Sequence, residues 1–129
     1  MPLGDPFAAA VRCGEMIWMG GRVDLTPEGI VNNPADLSTQ TPQAMHHCDR
    51  ALRELDCDLE DVVWLLCFYV NDGSVNEKDF LAMVGACLPN DAQVAVNAVP
   101  VPALAYPGLA VEIEGCAMRR ADGQRTEKF

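Results

Sequence analysis

Lysine and arginine are scarce in this chain: 9 of them stand against 19 aspartates and glutamates, a formal net charge of −10. A phosphate backbone is gripped by clustered cations, so a nucleic-acid partner is not expected. No apolar window approaches the roughly 20 residues of a membrane-spanning helix. The start, Met1-Pro-Leu-Gly-Asp5, lacks the basic residues and apolar run of a secretory leader. A cytoplasmic protein with no membrane contact is the expectation. Histidine is limited to His46 and His47; neighbours on a helix point about 100° apart and cannot share a metal as an i, i+4 pair does. The six cysteines (Cys13, Cys48, Cys57, Cys67, Cys87, Cys116) are separated by 35, 9, 10, 20 and 29 residues, with no Cys-x-x-Cys pair. That spacing supports neither a metal site nor a secreted disulfide framework, and buried, reduced thiols are expected. Phosphate-cradling glycine loops, repeats and low-complexity tracts are missing as well.

The 129 residues, half of them apolar, make one domain, assigned to residues 1–120, followed by a polar tail, 121–129, expected to fray. A hairpin is read from Phe7 to Arg12, a turn at Cys13-Gly14-Glu15, and a return over Met16 to Met19. A short strand is expected at Gly29 to Val31. Met45, Cys48, Leu52 and Leu55 recur at helical spacing and place a helix over about Asp36 to Leu55; Pro42 would move its start toward Thr41. Val62 to Val70 is apolar on both faces, as in a central strand covered on both sides. Helices can cover only one of those faces, so a second copy of the chain is the natural cover for the other. Ser74-Val-Asn-Glu77 reads as a capping box opening a helix that runs to Leu88 before Pro89. Gln93 to Ala98 is the next strand. The proline-rich Val99 to Gly108 should then leave the sheet and wall a cleft, with Tyr106 toward a ligand or in a structural role.

The last strand, around Val111-Glu-Ile-Glu-Gly-Cys-Ala117, is the most telling segment. Successive strand residues alternate faces, so Glu112 and Glu114 project together from an otherwise apolar run. Such a pattern fits a strand with one wet face. It also fits a carboxyl held in a poorly solvated cleft for proton transfer.

Together with Pro6-Phe7, Ile17-Trp-Met-Gly-Gly-Arg-Val-Asp24, Ala51-Leu-Arg-Glu-Leu55, Leu59-Glu-Asp-Val-Val63 and Phe68-Tyr-Val-Asn-Asp72, this segment resembles the YjgF group, the reactive-intermediate deaminase (RidA) family, over roughly Pro6 to Arg120. The resemblance implies an α+β, chorismate-mutase-like single domain: a mixed six-stranded sheet with two helices on one face. It also implies a homotrimer with a central β-barrel and ligand clefts at the subunit seams. Its best-known members hydrolyse reactive enamines and imines to keto acids and ammonia without metal or organic cofactor. Carried over by position, Glu112 is the catalytic glutamate; Phe7 and Gly21 are then read as shaping the cleft, Gln93 as hydrogen-bonding the substrate's polar end, and Tyr106, from the proline-rich connection, as a further candidate. Gly21 reads equally well as a bulge or close approach of backbones and, as the resemblance implies, as the place where a ligand approaches the backbone. The family's carboxylate-clamping arginine falls on Gln93, or on Asp91, and neither has the charge or the fork of donors. Arg22, from another strand, is a candidate substitute. Imine or enamine hydrolysis is therefore expected, with two alternatives: a non-catalytic ligand-binding or regulatory trimer, and a deaminase of a larger enamine such as an aminomuconate.

Overall fold

The computed structural model describes residues 7–119. The expectations for Pro6, Arg120 and the tail lie outside the described residues. The chain runs β1 (Ala10–Cys13), β2 (Met16–Arg22), α1 (Leu37–Arg53), a short 3-10 turn (Leu59–Asp61), β3 (Val62–Val70), α2 (Glu77–Ala86), β4 (Ala95–Val101) and β5 (Val111–Met118). The strands form one sheet in the order β1-β2-β5-β3-β4. β3 and β4 are parallel and the other pairs antiparallel, so the sheet is mixed. Strand β5, last in sequence, is central in space.

Alternation along the strands gives the two faces different fates. Ile17, Met19, Leu65, Cys67, Tyr69, Val111, Ile113 and Ala117 are buried beneath the stripe of α1 formed by Leu37, Ala44, Met45, Cys48 and Leu52. α2 adds Phe80, stacked on Tyr69 with ring centroids 4.5 Å apart. On the other face lie Trp18, Trp64, Leu66, Phe68, Glu112 and Glu114, matched in register. No helix covers them, and Trp18 is 54% exposed, as is Val11 beside it at 53%.

Several boundaries differ from the sequence reading. The sheet has five strands among the described residues; the expected strand at Gly29 to Val31 is only an isolated bridge, Leu25 to Val31. The first strand begins at Ala10 rather than Phe7 and extends through Cys13, leaving Gly14-Glu15 as a two-residue turn with Gly14 at φ 61°. α1 starts five residues before Pro42, because Asp36 caps it: its carboxylate accepts the Thr39 N–H at 3.1 Å and the Thr39 hydroxyl at 2.8 Å. These bonds, with that from Ser38, hold the Asp36 carboxyl below its ordinary pKa and secure the first turn despite the bond that Pro42 cannot donate. Ser74 does not cap α2. It bonds Asp72 in a turn through Gly73, at φ 89°, while Asn76 accepts the Asp79 N–H at 2.8 Å and caps the helix. β4 begins at Ala95 rather than Gln93 and runs through Pro100. A proline is tolerated there because β4 is an edge strand, with one side free of ladder bonds.

The six cysteines are free thiols: Cys13 is exposed, and Cys48, Cys57, Cys67 and Cys116 are buried. Burial pushes Cys48 and Cys67 up to about 12, which makes them packing groups rather than nucleophiles. No helix among the described residues is long and apolar enough to cross a membrane.

Where the central strand crosses β3, Gly115 is obligatory, since a β-carbon there would fall on the Trp64 carbonyl oxygen, a backbone atom that cannot step aside. Gly115→Ala is expected to cost about 3 kcal/mol or more, read as a fall in the urea midpoint at unchanged slope.

Candidate functional site

The geometry of the acidic face is set by an irregularity in β2. Met19 pairs with Gly115, but Arg22 pairs with Ile113 rather than Glu112, so Gly20 and Gly21 form a bulge beside the start of β5. The bulge brings backbone beneath a carboxylate: a β-carbon on Gly21 would lie 2.7 Å from Glu112 Oε1 and 2.8 Å from its Cδ. Glycine at 21 is thus what lets the half-buried Glu112 lie flat against β2. Across β5, Glu112 faces Phe68 and Glu114 faces Leu66. Beyond Glu114, Cys116 is covered by Trp18 and Trp64, its register partners. The result is two carboxylates in an apolar, aromatic setting with no arginine or lysine on the open side of any strand.

The other sequence-derived candidates are divided by the topology. Ala9 accepts the Gly20 N–H at 2.9 Å, so Phe7, 73% exposed, precedes β1 at the end of the sheet where Gly21 and Glu112 lie. Tyr106, 48% exposed, is on the connection entering β5 at the same end. Arg22 faces the other way. Its partner Ile113 belongs to the helix-covered face, its Nε donates to Gly21 O at 3.1 Å, and its charge acts on His47 and Cys48 of α1. Gln93 is remote. The parallel register sets Val99 level with Phe68, hence with Glu112, and Ala95, where β4 begins, lies four strand residues or about 13 Å away, with Gln93 before it. Within one chain Gln93 and Glu112 therefore stand at opposite ends of the sheet, and so does Asp91.

Sequence reading missed three features. Phe68, the aromatic neighbour of Glu112, was visible only as part of an apolar run. Asp24 is buried, with the Asn32 and Asn33 side-chain amides at 3.4 and 3.5 Å. A cleft of about 550 Å³ opens between the beginnings of the two helices, walled by Leu37, Val70, Val75, Met83 and Leu109 with Asp36 and Asp72 at its rim. Glu112 does not line it. His46 and His47 ride on α1, with His47 held below its ordinary pKa by burial and by Arg50. No group of three or more His, Cys, Asp or Glu among the described residues is placed to hold a metal ion.

A five-stranded mixed sheet with two helices on one face places the chain in an α+β class with many solved members. The chain matches the endoribonuclease L-PSP family model over residues 3–119 and belongs to that family, with structural neighbours in the YjgF/RidA/UK114 group. A protein of the conserved Rid family from Yersinia pestis is similar at 30% identity, with 81% of this chain and 79% of that one covered and a TM-score of 0.73. A YjgF/YER057c/UK114 family member from Mycobacterium tuberculosis is similar at 26% identity, covering 87% and 86%, with a TM-score of 0.71. RidA from the Antarctic bacterium Psychrobacter shares the fold at 23% identity, covering 91% of each chain, with a TM-score of 0.72. No curated protein matches the chain by sequence.

Gly21→Ala should leave folding stability within about 1 kcal/mol, because the atom it meets is the free end of a side chain. The Glu112 carboxyl should swing away from β2, visible in a crystal structure of the variant or as a displaced Glu112 side-chain resonance.

Proposed function

We propose that this protein hydrolyses a reactive imine or enamine, releasing ammonia, at a site that two copies of the chain complete together. The observation that carries this reading is the Glu112 carboxyl laid against the Gly21 backbone on an apolar sheet face that no helix among the described residues covers. Exposed apolar surface of this extent marks an association site. A homotrimer closing its three open faces into a barrel would cover Trp18 and Val11. It would also bring one copy's Gln93 toward another copy's Glu112, which the fold of a single chain cannot do.

In the reaction proposed, an enamine first takes a proton on carbon, gives one up from nitrogen, and becomes the imine. Water then adds across the C=N bond: its oxygen bonds to carbon, Glu112 accepts one of its protons, and the nitrogen receives it. Glu112 then carries the hydroxyl proton to that nitrogen, the C–N bond breaks, ammonia leaves, and the carbonyl remains. A carboxyl beside Phe68 suits both proton steps, because a carboxylate can take a proton from water and hand it on. Every group needed is an amino-acid side chain, so the reading invokes no metal or organic cofactor. Phe7 and Tyr106 would shape the cleft, and Gln93 would hydrogen-bond the substrate's polar end. Arg22, turned toward α1 within its own chain, would need a different rotamer or a partner's cleft to act as a cation.

With no cation on the open face among the described residues, a small 2-imino acid loses the charge-assisted hydrogen bonds that would hold its carboxylate, about 1.5–3 kcal/mol of binding. That favours a larger or less anionic enamine, an aminomuconate-type compound among them, and keeps a non-catalytic binding trimer as the competing reading. The endoribonuclease activity in the family's description is not adopted, since a chain of net charge −10 opposes a phosphate backbone.

The test is ammonia release from freshly generated imino acids and from aminomuconates, with ligand binding measured on the same preparation. Turnover that falls about a hundredfold or more in Glu112→Gln supports the assignment. Turnover unchanged by that substitution removes Glu112, and binding without release supports the regulator.

A further inference from the structure

The side chain that ties the site's framework together is an uncharged one inside α1. Gln40 is fully buried, and its amide is almost completely used. Nε2 donates to Asn33 O and to Gly108 O, both at 2.9 Å, and Oε1 accepts the Ala110 N–H at 2.8 Å. The Ala110 carbonyl in turn accepts the Val70 N–H at 2.9 Å, and Gly108 O accepts a second N–H, from Ala35, at 2.7 Å. One amide therefore fixes the three residues that lead into β5 and joins them to the loop before α1. That loop needs holding, for Asn33 at φ 48° and Ala35 at φ 60° sit in the left-handed region.

The segment so fixed ends two residues before Glu112. On its β2 side, Glu112 lies at the bulge where the register slips between Met19 and Arg22, so a regular ladder does not hold β5 there. On its β3 side the ladder continues through Tyr69 and Val111 and ends at the Val70 to Ala110 bond. The Glu112 carboxyl lies over the Gly21 backbone, so close that one added methyl group would overlap it. We propose that Gln40 is a positioning residue for Glu112: it sets the level of β5 through Ala110, and so the height at which the carboxyl meets Gly21. This deepens the hydrolase reading, on which its kinetic consequence rests; its structural consequence stands apart from that reading.

The experiment compares Gln40→Met, which keeps the length and loses every bond, and Gln40→Glu, which keeps an acceptor for Ala110 and loses the donors. Leu52→Ala serves as the control, a cavity in the same helix remote from this network. With 13C-labelled glutamate and 15N-labelled glycine, Gln40→Met should move the Glu112 carboxyl resonance and the Gly21 amide while leaving Glu114 nearly in place. Gln40→Glu should move them less, and Leu52→Ala should leave them unmoved at a comparable loss of melting temperature. On a turned-over substrate, Gln40→Met should lower kcat about ten- to a hundredfold with KM within about twofold. In the unaltered protein the Ala110 amide should exchange with solvent only on global unfolding. Glu112 and Gly21 signals unmoved in folded Gln40→Met, or moved equally by Leu52→Ala, would overturn the proposal. Ala110 exchange as fast as that of an exposed loop would overturn it even if neither Gln40 variant folds. Absence of turnover in every form, including the unaltered protein, would defeat the hydrolase reading and leave the resonances to decide the role of Gln40.

Discussion

The contact between the Glu112 carboxyl and the Gly21 backbone is the constraint around which this structure is arranged. It requires a residue without a β-carbon at 21, a bulge to turn that residue toward β5, and a central strand whose start is held at a fixed height. Each requirement is met by a different part of the chain. The glycine pair supplies the bulge, the β3 ladder aligns the strand, and the buried Gln40 amide secures its entry. Among the described residues neither ion pair found involves that carboxylate, so its placement is a feature of strand geometry.

The second organising fact is the difference between the two faces of one sheet. The helix-covered face is a conventional core closed by α1 and α2, with all its buried polar side chains hydrogen-bonded. The open face carries two tryptophans, a phenylalanine and two glutamates, a mixture that fits neither a wetted surface nor a finished interior. Register adds a further restriction, because Glu112 and Gln93 lie at opposite ends of the strands. A cleft that uses both must draw them from different copies of the chain.

Much of this was legible in the sequence, and the limits have physical causes. The two helices, the doubly apolar β3 and the acidic alternation of β5 announce themselves through periodicity, which reports burial directly. The helix expected from about Asp36 does start there, while the shift toward Thr41 and the Ser74 cap of α2 fail because caps compete. Asp36 and Asn76 both outdid the candidates read from local pattern, one because its carboxylate gathers three bonds, the other because Gly73 had already committed Ser74 to a turn. Pro100 was expected to end the sheet, yet edge position removes the penalty, and position in a sheet is a tertiary property. The separation of Gln93 from Glu112 was invisible for the same reason: it depends on the pairing register of three strands. Gln40 left no signal, since a glutamine on the buried side of a helix reads as a break in the apolar stripe until its partners, about seventy residues away in sequence, are known.

The central claim, that the open face is finished by further copies of the same chain, is most directly tested by sedimentation at low micromolar concentration combined with the emission of Trp18 in a Trp64→Phe background. The account predicts a species of three chains with Trp18 emission shifted to the blue and shielded from quenchers. A stable monomer with Trp18 freely quenched would contradict it, and the seam site would lose its basis.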